Sequence, residues 1–290
     1  MTAVRQSHWR TEAAKLLPTM FDPLVSEPVF SSLSGAAMSL IDRFYSIRRP
    51  LKSIRQSGSD ESDLSPAQIA ELSQRHDSEL AQLFFRHRGR ITQKWVHYLD
   101  LYHRYLSRFR GRPLKMLEIG VNRGGSLQLW REYLGKDAII FGIDLNPECT
   151  DLADAPTQIR IGSQADPNFL HSVIAQMGAP DIIIDDGSHV ARHQQASFET
   201  LFPLLAAGGV YVIEDMHTAY WRGEWGGGYK RRGTAVELVK QLIDDMHGWW
   251  HRRSGRLANK EDIAGIHVHD SITFIEKGPR DKPQHVRVGA

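Results

Sequence analysis

One cysteine, Cys149, is all the thiol in 290 residues. No intramolecular disulfide can form, which excludes a disulfide-framed secreted domain. No apolar run reaches the roughly 18 residues of a membrane-spanning helix. The first ten residues lack the apolar stretch of a secretion signal, so the expected compartment is the cytoplasm. Excess charge is missing too. Lys and Arg number 36 against 34 Asp and Glu, a net of +2, without the basic surplus that nucleic-acid binders carry. No nucleic-acid partner is expected. Composition also excludes collagen, coiled coil and wholesale disorder. What remains is a soluble globular protein, an enzyme or a binding module. It is long enough to bury about three quarters of its extended surface.

Along the chain, Pro18, Pro23, Pro28 and Pro50 punctuate a first segment of short helical or irregular pieces. Residues 36–55 mix Leu40, Ile41, Phe44, Tyr45 and Ile47 with five basic residues. This predicts a helix docking its apolar side, with an anionic membrane surface as the other reading. Residues 56–64 read as a polar linker. A helix then opens sharply, with Ser65 as N-cap, Pro66 at the first position and Gln68 completing a capping box. Ile69, Leu72, His76, Leu80 and Leu83 continue near helical period. A second helix is expected over 92–109, with Trp95, Tyr98, Leu99, Tyr102, Leu106 and Phe109 forming one apolar face.

From Lys115 the rhythm changes. Short apolar runs at 115–119, 139–143, 158–161, 181–184 and 210–213 alternate with helical stretches, the mark of βαβ units and a parallel sheet. The helix at 190–205, stopped by Gly208 and Gly209, is the clearest. Residues 263–269 and 272–277 form a hairpin around Asp270 and Ser271 and add one antiparallel strand. The expected class is α/β: a Rossmann-like, mostly parallel sheet with an antiparallel C-terminal hairpin, the layout of class I methyltransferases. The expected domains are a helical extension at 1–80, capping the site or building a homo-oligomer, and a catalytic domain at 81–290.

The first strand runs into Glu118-Ile-Gly120-Val-Asn122-Arg-Gly124-Gly125-Ser126. Glycines here let the backbone turn tightly and approach a ligand at a helix start. A dinucleotide fingerprint needs G-x-G-x-x-G, and this chain has G-x-x-x-G-G behind a glutamate. A carboxylate there suits a cationic ligand better than a pyrophosphate, which favours S-adenosylmethionine over NAD. Asp144 ends the second strand, where an acid can accept ribose hydroxyls. Gln164 and Asp166 follow the third strand, where polar side chains could read an adenine edge. Turn formation and helix capping would explain any one of these alone; the three together, in order, point to a cofactor cradle.

Asp185-Asp186-Gly187-Ser188-His189 follows the fourth strand and Glu214-Asp215-Met216-His217-Thr218 the fifth. Neighbouring strands lie about 4.8 Å apart, so Asp186, Glu214 and Asp215 can converge. Like charges raise each other's pKa unless compensated, and all-oxygen donors favour Mg²⁺, Mn²⁺ or Ca²⁺ over zinc. His189 is the expected general base, with His193 the alternative on the same helix face. A sugar hydroxyl, with a pKa of about 15, lies some nine units above a free histidine, roughly 12 kcal/mol uphill. A cation at the oxygen closes part of that gap. Helix caps and a surface histidine are the plainer reading of the same residues.

These runs, MLEIGVNRGGSLQLW, FGIDLNPEC, IGSQAD, IIIDDGSHVARHQQASFETLFPLL and GGVYVIEDMHTAYW, resemble the metal-dependent sugar O-methyltransferases. That group includes the macrolide-sugar and rhamnosyl enzymes and shares its pattern with cephalosporin hydroxylase-like proteins. The resemblance covers about residues 88–277. It implies Asp186, Glu214 and Asp215 as Mg²⁺ (or Mn²⁺) ligands and His189 as base. It implies Glu118, Gly120, Ser126, Asp144 and Gln164 as cofactor contacts, and we add Asn122, Gly124, Asp166 and Asp185 from the same loops. Where the family often reads Thr-Asp-Lys, this chain reads Thr92-Gln93-Lys94, and Lys94 would meet the methionine carboxylate.

Residues 221–233 interleave glycines with Trp225 and Tyr229, which suits a lid over a sugar or a mobile surface loop. His193, His217, Tyr220, Trp225 and Tyr229 are the candidate substrate contacts. The expected activity is methyl transfer from S-adenosylmethionine to a hydroxyl of a glycoside or oligosaccharide. A phenol or catechol O-methyltransferase, a hydroxylase-like role and a non-catalytic binding module are the alternatives.

Overall fold

The computed structural model describes residues 64–251 and 262–289, all within the unit Ser59–Ala290 into which the chain divides. The stretch at 36–55 and nearly all of the 56–64 linker lie outside the described residues.

Seven strands make one sheet: β1 (Leu114–Ile119), β2 (Ala138–Asp144), β3 (Gln158–Ile161), β4 (Ile182–Asp185), β5 (Val210–Ile213), β6 (Ile263–His269) and β7 (Ile272–Lys277). Their order is β3-β2-β1-β4-β5-β7-β6. All pairs from β3 to β5 are parallel, and β7 runs antiparallel to both β5 and β6. The expected mostly parallel sheet with its antiparallel hairpin is therefore present. Successive strand residues pack into opposite cores: Met116, Ile140, Ile182 and Val210 on one face, Leu117, Phe141, Ile183 and Tyr211 on the other. Burial on both faces explains why these strands read as unbroken apolar runs.

Helices α2 (Glu79–Arg86), α3 (Val96–Leu106) and α4 (Gly125–Leu134) contribute to the first core, and α5 (Pro167–Met177), α6 (Ala191–Leu201) and α7 (Ala235–Met246) to the second. The capping box at Ser65 and Gln68 is formed and opens α1 (Pro66–Arg75). That helix does not continue to Leu83. It buries no residue, so no core holds it in line, and Ser78 caps a fresh start by accepting from Ala81 N at 3.3 Å. Helix α3 also begins later than expected, at Val96, after Lys94 and Trp95 have turned their side chains to the acids.

Candidate active site

The sheet order reverses between β1 and β4, the switch point where open α/β sheets bind ligands beyond the strand ends. The loops leaving β1, β4 and β5 are stitched together there. Asp186 N donates to Ile119 O at 3.0 Å and Glu214 N to Asp185 O at 3.0 Å. Gly120 has φ of +96°, and a Cβ on it would stand 2.1 Å from Asp186 O. Only glycine permits that approach. His189 and Asp215 both take left-handed backbone, each with φ of 54°. Such a conformation costs a non-glycine residue on the order of 1–3 kcal/mol and concentrates at functional sites.

Asp186, His189 and Asp215 each offer one ligand atom, and those atoms lie within 4.8 Å of one another. His189 Nε2 is 3.7 Å from Asp186 Oδ1 and 3.6 Å from Asp215 Oδ2. The other oxygen of each aspartate is held from outside. Lys94 Nζ pairs with Asp186 Oδ2, and Asp215 Oδ1 accepts from Trp95 Nε1 at 3.1 Å and lies 3.0 Å from the Tyr98 hydroxyl. Glu214 stands beside this cluster. Its Oε1 takes Lys94 Nζ at 2.6 Å and the Tyr102 hydroxyl. Burial alone would lower the Lys94 ammonium, but Asp186, Glu214 and Glu118 outweigh it and hold the lysine firmly charged. Burial, and then Asp186, raise Glu214 against the pull of Lys94 and Tyr102. Burial also keeps the Tyr98 and Tyr102 hydroxyls protonated, as donors to these acids.

Lys94 therefore sits among the acids. The resemblance implies the methionine carboxylate as its partner; in this structure its ammonium is paired with Asp186 and Glu214. Trp95, Tyr98 and Tyr102 were expected as apolar packing. Their polar tips reach the acids instead, as buried Tyr and Trp heteroatoms require partners.

On the other side of the switch point, Glu118 accepts from Trp130 Nε1 at 2.9 Å and Ser126 Oγ at 2.8 Å. Asp144 Oδ2 accepts the amides of Val121 and Asn122 at 2.9 and 3.0 Å, fixing the turn that carries Gly124. Gln164 bridges loops: its Nε2 donates to Asp185 Oδ1 at 3.0 Å and its Oε1 accepts from Ser188 N at 2.7 Å. Asp185 is fully buried and also accepts from Ser197 and Tyr211, and its pKa is raised by that burial. Asp166 caps α5 through the amides of Asn168 and Phe169. Asp185 and Asp166 thus make structural bonds in this arrangement.

Of the substrate candidates, Trp225 stacks over His189 with ring centroids 6.5 Å apart. His217 Nδ1 is 2.8 Å from Ser271 Oγ in the hairpin turn. His193 is buried, with Nδ1 2.8 Å from Ser188 Oγ. Tyr220 is exposed, and Tyr229, 78% exposed, has the Lys230 ammonium over its ring. Several backbone groups of 221–233 are tied down. Gly228 N donates to Ala219 O at 2.8 Å and Arg231 N to Gly228 O at 3.0 Å. A Cβ on Gly227 would stand 2.4 Å from Trp221 O. Close backbone approach, rather than looseness, explains that glycine.

Residues 117–216 match a family described as a methyltransferase domain. The strand order above is the class I methyltransferase layout. Relatives similar to the chain are named as O-methyltransferases. The chain is 38% identical over 213 residues to the 8-demethyl-8-(2-methoxy-alpha-L-rhamnosyl)-tetracenomycin-C 3'-O-methyltransferase of Streptomyces olivaceus, covering 69% of this chain and 54% of that one. It is 35% identical over 196 residues to the mycinamicin VI 2''-O-methyltransferase of Micromonospora griseorubida, covering 62% and 48%. Its structure is similar to that of the MycE methyltransferase from the mycinamycin biosynthetic pathway, solved with Mg, SAH and mycinamycin VI. The TM-score is 0.60 at 34% identity, over 73% of this chain and 53% of that one. The chain spans about half the length of the curated relatives it matches.

Proposed function

We propose that the chain is an S-adenosylmethionine-dependent, Mg²⁺-dependent O-methyltransferase acting on a hydroxyl of a sugar or glycoside. The observation that carries this reading is the convergence of Asp186, His189 and Asp215 on one point at the switch of the sheet. Each aspartate has one oxygen held from outside and the other turned toward His189. Oxygen donors of this kind fit Mg²⁺ or Mn²⁺. Three carboxylates with Lys94 leave a formal charge of −2, which one divalent cation balances. The acidic cradle of Glu118 and Asp144 fits a cationic, phosphate-free donor. We assign Gly120, Asn122, Gly124, Ser126 and Gln164 to the same cradle.

Asp186 and Asp215, with Glu214 beside them, would hold a divalent cation, which would supply positive charge that eases deprotonation of the acceptor hydroxyl. His189 Nε2 would take the hydroxyl proton as the acceptor oxygen forms its bond to the donor's methyl carbon and the methyl–sulfur bond breaks, with S-adenosylhomocysteine leaving. Trp225 lies near-parallel to the imidazole, with ring centroids 6.5 Å apart. Orientation of two substrates by such residues supplies much of the rate.

Among the described residues no helix is long and apolar enough to cross a membrane. We place the protein in the cytoplasm, without a nucleic-acid partner. The expected border at 80/81, between an N-terminal extension (a cap or oligomer contact) and the catalytic domain, would cut α2, so we draw it ahead of Ser59.

The test pairs a methyl-transfer screen on glycosides with calorimetric titration of S-adenosylmethionine, with and without MgCl₂. His189→Ala should abolish turnover while the donor still binds. Full activity in excess EDTA after metal stripping sinks the cation role.

A further inference from the structure

A string of rings runs along one side of the acidic cluster. Trp95 meets His217 at 6.0 Å, His217 meets Trp221 at 4.8 Å, and Trp221 meets Trp225 at 5.5 Å between centroids. Both ends rest on the cluster: Trp95 through its indole N–H on Asp215, Trp225 through its stack on His189. The middle is pinned as well, because the hairpin turn holds His217 through Ser271 Oγ. Yet Trp95 and Trp221 remain 52% and 47% exposed. Large apolar faces are thus held in place without being buried, directly beside charged groups.

The geometry points to this string as the recognition wall for the acceptor sugar, with the indole faces of Trp95 and Trp221 packing on the C–H face of its pyranose ring. The inference rests on the glycoside reading proposed above. A pyranose is amphipathic: one face presents C–H groups, and the rim presents hydroxyls. An indole face buries the first, while Asp186, His189 and Asp215 lie where the rim would enter. Interplanar angles of 87°, 66° and 76° separate successive rings. Within the string no two neighbouring rings are parallel; the one near-parallel pair at its end is Trp225 with His189, at 28°. Rings fixed before the ligand arrives lose little freedom on binding.

Binding and turnover test this separately, in the full chain with S-adenosylhomocysteine and MgCl₂ for binding. Saturation-transfer NMR with methyl α-L-rhamnopyranoside and a panel of methyl hexopyranosides reads sugar contact without chemistry. Trp221→Ala should weaken sugar binding and raise KM by about ten-fold, the scale of about 1.4 kcal/mol, with kcat within about two-fold. Trp221→Phe should restore most of the loss, and Trp95→Ala should also weaken sugar binding, with kcat falling as well because its indole N–H no longer holds Asp215. Calorimetric binding of S-adenosylhomocysteine should not change in any variant. If Trp221→Ala and Trp95→Ala bind and methylate the sugars as the parent does, the wall is wrong and the glycoside reading stands. If the parent neither binds nor methylates any glycoside of the panel but methylates a catechol, both fall together.

Discussion

Glu118 is fully buried at the end of β1, with both carboxylate oxygens accepting, from Trp130 and Ser126. Burial raises its carboxyl from the ordinary 4.5 to about 7, against the pull of Lys94 and these donors. The native state therefore keeps this proton to a higher pH than the unfolded chain does, and its stability falls as pH rises through that interval. Glu118→Gln removes the titration. Without cofactor, the variant should match the parent near pH 5 and gain on it by on the order of 1–3 kcal/mol at pH 8 in urea denaturation. Asp215 carries a different conflict, one more negative charge beside Asp186 on a left-handed backbone. Asn tolerates that backbone and keeps an acceptor for Trp95 and Tyr98. Asp215→Asn should lose Mn²⁺ binding by calorimetry, yet melt roughly 2–4 °C higher in EDTA, about 1 kcal/mol in a domain of this size. The acids and His189 were legible in the sequence because chemistry at strand ends demands those residue types. The partners of Lys94, Tyr98 and Tyr102 were not, since these residues stand about a hundred positions away from the acids they serve.

Residues 94–102 act together as one clasp. Lys94 and Trp95 reach the acids from the extended entry to α3, and Tyr98 and Tyr102 follow on one face of that helix. Periodicity identified the helix but not its polar work, because a tyrosine reads the same whether its hydroxyl meets water or a carboxylate. The error at 76–78 has a similar cause. Helical spacing persists across Ser78, and only the lack of a core beneath α1 reveals the break. The clasp gives the prediction at this scale. Lys94 is the buried cation on Asp186 and Glu214, and removing one partner of a buried ion pair costs about 3–5 kcal/mol. Lys94→Met should lose stability of that order in EDTA and recover part of it when Mn²⁺ is added, as read by thermal melting.

Across the whole domain, the strands were the most legible elements. β3, β5, β6 and β7 fall at their expected bounds. β5 is buried throughout and leaves an apolar run with little ambiguity, whereas β3 and β6 are only partly buried and are bounded by their turns. How the hairpin meets the site was not legible. Met216 N donates to Ser271 O at 2.9 Å, and the Tyr98 hydroxyl lies 2.9 Å from the same oxygen. The edge of the sheet thereby braces the loop that carries Asp215. The strap at 219–233 is different. Its bonds close on themselves, from Gly228 to Ala219, Gly226 to Gly223 and Arg231 to Gly228. The acids, by contrast, are held by strand ends, the clasp and the hairpin turn. The chain thus separates the braced acids from a strap that closes largely on itself and meets them through Trp225 over His189. Transplanting residues 219–233 from a relative with another acceptor should shift the ranking of kcat/KM across a glycoside panel while donor binding stays as it was. Evolution, on this arrangement, can change what the protein handles without touching how it handles it.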